Sequence, residues 1–286
     1  MRPSPETKLC AVLFALLLIS ATPRADFSSK SLSVLININP DGSANVEEQL
    51  DIIMNSTSSR ELYETTRTVY SDISTWKDRT QLPEMRQHIS RAKADISDIR
   101  ITPQPVTSCN SFLGICHALF ILDYKVIAAQ NGSGLVKVER YKPRTAKYSL
   151  QQEALSFEQT KTGDLILPSG TQISITVPAG AEKIYFSTAP SNIADESGNL
   201  LYDSSTNLRY YVGAKRTFSW QDNTLSKFQF TYEIESALED EVISFFSGTQ
   251  NATAQLLFGP QGIAAFIMIA AGALTFYYFN SRAKGE

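Results

Sequence analysis

The chain has 286 residues, of which 43% are apolar and 19% charged, and its net charge is −3. That balance excludes intrinsic disorder. The weak acidity gives no electrostatic reason to bind nucleic acid.

The first predicted element is a signal peptide over residues 1–22. Arg2 and Lys8 form a positive start, residues 9–19 are apolar, and Ser20, Ala21 and Thr22 precede Pro23. A run of that length is too short for a bilayer, which takes about 20 residues. Cys10 sits inside the run and reads as a packing residue lost with the peptide.

From residue 27 the pattern is β. Leu32, Val34, Ile36 and Ile38 alternate with polar or small residues, and Ala44, Val46, Glu48, Leu50, Ile52 and Met54 continue the period. Between them Pro40-Asp41-Gly42 predicts a turn, because Pro fixes φ and Gly accepts positive φ. Asp41, Ser43 and Asn45 imitate the start of a calcium loop, but Ile52 stands where the bidentate acid belongs, which favours the turn. The period then changes. Leu62, Val69, Ile73 and Trp76 recur at helical spacing, with Ser58 and Ser59 as caps and Glu61 and Glu64 in the first turn. Pro83-Glu84 opens a second helical stretch with Met85, Ile89 and Ala92 on one stripe. These signals predict a helical insertion over 58–94 within a β domain spanning 27–155.

Strand patterning resumes at 99–102 and is strongest over 116–128, where Ala118, Phe120, Leu122, Tyr124 and Val126 line one face. Further strand signals at 135–141, 165–167, 172–177, 183–187, 208–212 and 217–220 are separated by Gly- and Pro-containing turns. Phe228, Phe230, Tyr232 and Ile234 make a last alternating strand, and 237–246 reads as an amphipathic helix. Short strands with a turn about every 8–12 residues predict a mainly β fold, an antiparallel β-sandwich-type ectodomain of one sandwich or two. Residues 156–255 are a second β domain or a continuation of the first.

Residues 263–279, IAAFIMIAAGALTFYYF, carry no charge. At about 1.5 Å per residue they reach about 25 Å. Tyr277 and Tyr278 suit the headgroup layer, and Arg282 and Lys284 follow. This predicts a C-terminal transmembrane helix in membrane lipid, a cytoplasmic tail at 280–286 and a single-pass type I topology with the N-terminal domain extracytoplasmic.

Cys109 and Cys116 flank a short turn, and in an exported chain they predict a disulfide. A metal pair is the alternative, with only His117 nearby. Asn55, Asn131 and Asn251 open N-x-S/T sequons, candidate glycosylation sites. Nothing in the motifs assigns a catalytic, cofactor-binding or metal residue: HExxH, G-x-S-x-G and phosphate-loop patterns are missing. His88 and His117 read as surface or satisfied polar side chains. Glu47 and Glu48 are strand neighbours, so they point to opposite faces and do not form a catalytic pair. Glu239–Glu241 reads as a solvated helix face. Tyr210, Tyr211 and Trp220, with Phe218 and three basic residues around them, are a candidate binding face for a protein or glycan, or else sandwich core.

The segments SLSVLININPDGSANVEEQL, ISITVPAGAEKIYFS and SWQDN…FQFTYEIE resemble uncharacterised archaeal and bacterial exported single-pass membrane proteins. Those carry a DGS hairpin near the N-terminus and a strand–Pro–Gly-Ala–strand unit before the anchor. The resemblance implies a cell-surface β ectodomain and transfers no activity. The expected function is structural, adhesive, or protein- or glycan-binding at the cell surface, without a cofactor. An accessory ectodomain subunit of a membrane complex, docking through the charged insertion or 237–246, is the alternative, and a secreted-type hydrolase a further one.

Overall fold

The computed structural model describes residues 25–235 other than 71, 111, 130–132, 143, 194–198 and 222–223. The expected signal peptide, the 237–246 helix, the 263–279 span and its tail lie outside the described residues, as do Asn131 and Asn251. Among the described residues no helix is long and apolar enough to cross a membrane.

The opening hairpin forms as its alternation demands. β1 (Phe27–Ile38) runs antiparallel to β2 (Ala44–Met54), with Ile38 opposite Ala44. In the turn Asn39 N–H donates to Ser43 O at 2.8 Å, and Ser43 N–H donates to Asp41 Oδ1 at 2.9 Å. The Ser43 hydroxyl also donates to that oxygen at 2.6 Å, and these bonds hold the Asp41 carboxyl below its ordinary pKa. Gly42 has φ +84°, and a Cβ there would stand 2.7 Å from Val138 Cγ2. Conformation and close approach both require glycine.

β2 pairs with β5 (Ile115–Val126), which also pairs with β3 (Ile96–Pro103) and the short β4 (Ser108–Asn110). On the other side β10 (Thr171–Thr176) joins β1, and β14 (Thr217–Gln221) joins β10. The sheet has seven strands in the order β14-β10-β1-β2-β5-β3, with β4 on β5. Its β1–β10 pair is parallel, which corrects the expectation of a wholly antiparallel fold. Parallel neighbours need a long crossover, and residues 39–170 supply it. The sheet thus takes strands from both sides of residue 155.

A second, six-stranded sheet follows the order β12-β13-β11-β16-β7-β6. Its strands are β6 (Val136–Arg140), β7 (Thr145–Leu150), β11 (Ala181–Phe186), β12 (Leu200–Asp203), β13 (Leu208–Tyr211) and β16 (Phe230–Glu235). β12 is a strand that the sequence pattern does not announce. A small sheet of β8 (Glu158–Gln159), β9 (Leu165–Ile166) and β15 (Thr224–Leu225) completes the set. The two large sheets meet through aromatic rings. Phe186 on β11 lies 5.0 Å from Phe218 on β14, and Phe230 on β16 lies 5.9 Å from Trp220 on β14, centroid to centroid.

The helical insertion is present but smaller than expected. α1 (Thr57–Val69) is capped by Ser56, whose Oγ accepts the Ser59 N–H at 3.1 Å. Ser58 and Ser59 are therefore in the first turn, and Glu61 and Glu64 lie beyond it. The buried side of α1 is Ser59, Tyr63 and Thr66, while Val69 is exposed. α2 (Ile73–Thr80) is capped by Asp72 and buries Trp76, which packs edge-on against Tyr63 and against Phe120 of β5. The stretch after Pro83 is not a helix. Its backbone bonds instead to neighbouring segments: Ser90 N–H to Ala154 O at 2.8 Å, and Ser156 N–H to His88 O at 2.7 Å. Met85 and Ile89 are buried as expected, but Ala94 replaces Ala92 as the third inward residue. Tertiary hydrogen bonds here override an i, i+4 stripe.

Candidate functional site: a buried carboxylate cluster and a tyrosine face

β2 places Ala44, Val46, Glu48, Leu50, Ile52 and Met54 on the core face by its period of two. One of the six is a carboxylate. Glu48 is 3% exposed, and the segment 82–94 crosses over it. Glu48 Oε1 accepts the backbone N–H of His88 at 2.7 Å and the hydroxyl of Tyr124, which β5 presents from the neighbouring strand. Glu48 Oε2 lies 2.7 Å from His88 Nδ1. The His88 ring, 2% exposed, stacks on Phe157 with centroids 5.0 Å apart. Burial, reinforced by the Glu48 charge, pushes the Tyr124 phenol far above its ordinary pKa. The arrangement satisfies a buried polar group with three donors and closes it off from solvent. Its chemistry is that of a clamp holding 82–94 on the sheet. His88 is thus a satisfied polar side chain, and Glu47 and Glu48 do face opposite ways.

The opposite face of this sheet is half-buried and carries polar groups among apolar ones. Glu47 sits across from Asp123, and Asp123 across from Arg100. Burial and the Glu47 charge raise the Asp123 pKa, with Arg100 opposing. Further along, His117 Nδ1 stands 3.4 Å from Asp51 Oδ1, and Lys30 Nζ stands 3.3 Å from Asp51 Oδ2. With Thr107 and Ser108 they line a shallow depression of about 290 Å³. Ser108 pairs with His117 across the β4–β5 ladder, but a His–Asp separation of 3.4 Å is long for an orienting hydrogen bond. Among the described residues no group of three or more His, Cys, Asp or Glu is placed to hold a metal ion.

The aromatic residues expected as a binding face separate. Trp220 and Tyr211 are buried, Trp220 among Phe186, Phe228 and Phe230, and Tyr211 against Phe218. They are core, because β14 and β13 present them inward; of the two readings the sequence left open for Tyr211 and Trp220, sandwich core holds and the binding face does not. Tyr210, one residue from Tyr211, points the other way. It pairs with Leu201 on one side and Tyr185 on the other, and its ring lies 5.1 Å from Tyr185. Leu201, Tyr210 and Tyr185 form one row across β12, β13 and β11 on the outer face of the six-stranded sheet. Lys183 and Glu233, joined at 2.8 Å, stand beside it. Tyr185 has a pKa raised first by burial and then by the charge of Asp203.

Cys109 and Cys116 are bonded to each other and stand directly opposite in the β4–β5 ladder. Asn55 is exposed, and its Nδ2 donates to Ser28 Oγ at 3.3 Å. The residues missed by sequence reasoning are Leu201, Tyr185 and the Glu48–His88–Tyr124 set. A single acid in the apolar register of β2 was the one signal for the last.

No family model and no curated protein matches the chain. Among solved structures, a protein from Parabacteroides distasonis proposed to be a protease is similar at 8% identity and a TM-score of 0.24. The match covers 73% of this chain and 40% of that one.

Proposed function

We propose that the chain is a membrane-anchored extracytoplasmic β-sandwich that works by binding, with the Leu201–Tyr210–Tyr185 row as a recognition face for glycans. The observation that carries this reading is that row. Two tyrosine rings and a leucine lie in line across three neighbouring strands, with hydroxyl, ammonium and carboxylate groups at their border. Aromatic faces suit the apolar C–H face of a sugar ring, and the neighbouring polar groups suit its hydroxyls. The Cys109–Cys116 bond supports an oxidising compartment. The uncharged run at 263–279 supports the anchor. An array of immobilised oligosaccharides, probed with full-length protein in mild detergent, tests it. Wild type should be retained on a subset of sugars. Tyr185→Ala with Tyr210→Ala should lose about tenfold in affinity, at about 0.5–1.5 kcal/mol per ring contact. Equal retention of wild type and double variant, or no retention of wild type, refutes the reading.

A further inference from the structure

The hairpin between β4 and β5 ends in Phe112, 94% exposed, and Leu113, 59% exposed. Surface apolar residues are common singly, but this pair stands at the end of a cross-linked hairpin. Cys109 and Cys116 staple the hairpin at its base. Asn110 Oδ1 accepts the N–H groups of Phe112 at 3.0 Å and Leu113 at 3.1 Å, and Gly114 N–H donates to Asn110 O at 2.8 Å. Gly114 supplies the positive φ, +68°, that this turn needs. The tip therefore satisfies these backbone donors internally. In addition, residues 101–115 contain no ionisable side chain.

We infer that this stapled tip inserts Phe112 and Leu113 into the interfacial layer of a lipid bilayer. A lipid surface takes up exposed apolar side chains that have no charge beside them, and the tip offers both. A protein partner fits less well. Two side chains of this kind offer a few hundred Å² at most, well short of the roughly 1,200 Å² of a stable protein interface. A bilayer needs no larger footprint. The chain also brings its own bilayer: 27 residues separate Glu235 from Ile263, where the uncharged run begins. That tether reaches at most about 90 Å, enough for the domain to lie against the membrane. The inference rests on the anchored reading only for this second contact, and it does not involve the tyrosine row.

Phe112→Trp in full-length protein reconstituted into phosphatidylcholine vesicles tests it. The native Trp76 and Trp220 are both buried, so the new ring reports on the tip. Relative to wild type, the added emission should be blue-shifted and quenched by brominated lipid, and protected from iodide. Added emission that is water-like and quenched by iodide overturns the proposal, and a tip lodged in a protein partner would give that result in pure lipid vesicles. Flotation of wild type first shows whether the chain incorporates irreversibly. If it does not, the anchor reading fails separately, and reversible flotation then reads the tip alone. In that case Phe112→Asp with Leu113→Asp should weaken vesicle binding by about 100-fold or more. Unchanged binding overturns the proposal.

Discussion

Glu48→Ala removes the acceptor for three buried donors at once: the His88 backbone N–H, His88 Nδ1 and the Tyr124 hydroxyl. Each orphaned donor costs about 1–3 kcal/mol. The three are neighbours and share relaxation, so the sum is not additive. A loss of about 3–6 kcal/mol follows, a large part of the roughly 5–15 kcal/mol that holds a domain together. Glu48→Gln keeps one carbonyl acceptor of nearly the same shape and should cost about 1–3 kcal/mol. Urea denaturation followed by tryptophan emission reads both. Trp76, packed on Phe120, reports on the sheet that Glu48 belongs to. Amide exchange gives an independent readout, since the N–H of His88 loses its acceptor directly and that of Ser90 depends on the same clamp. Early exchange at both in the Ala variant is expected. A Glu48→Ala protein within about 1 kcal/mol of wild type would refute the clamp, because it would mean the donors find water or other partners without cost.

Two other outcomes follow from the same physics. Burial raises the phenol pKa of Tyr63, Tyr124 and Tyr232 well above the ordinary value. Their contribution is complete below the unfolded tyrosine value of about 10 and is lost as pH rises above it, so denaturation midpoints should fall steeply above about pH 10. Ionisation of all twelve tyrosines near pH 10 by ultraviolet absorbance, with structure intact, would contradict this. Cys109 and Cys116 should resist alkylation in folded, exported protein until a reductant is added, and free labelling of both would show that the bond does not form there. Reduction should cost about 2–3 kcal/mol.

By itself, the sequence determined what depends on local period and turn chemistry. Alternation over 32–54 and 116–126 specified β1, β2 and β5 and the side each buries, because a strand has only two faces. Pro40-Asp41-Gly42 specified the turn, since few residues accept the φ it needs. Facing cysteines seven positions apart specified the hairpin staple. The tertiary structure alone decided which residues share a site. Glu48, His88 and Tyr124 are separated by 40 and 76 positions, and no periodicity links them. The segment 82–94 had a helical stripe, yet its backbone found partners in Glu48 and in residues 154–156, and those long-range bonds won. Tyr210 and Tyr211 are neighbours in the chain, and alternation alone predicts that they part. Only the placement of β13 between β12 and β11 shows that Tyr211 faces the core while Tyr210 joins Leu201 and Tyr185 outside. Strand order is fixed by the packing of whole sheets and by crossovers such as that joining β1 to β10, and those contacts are non-local, so local sequence does not encode them.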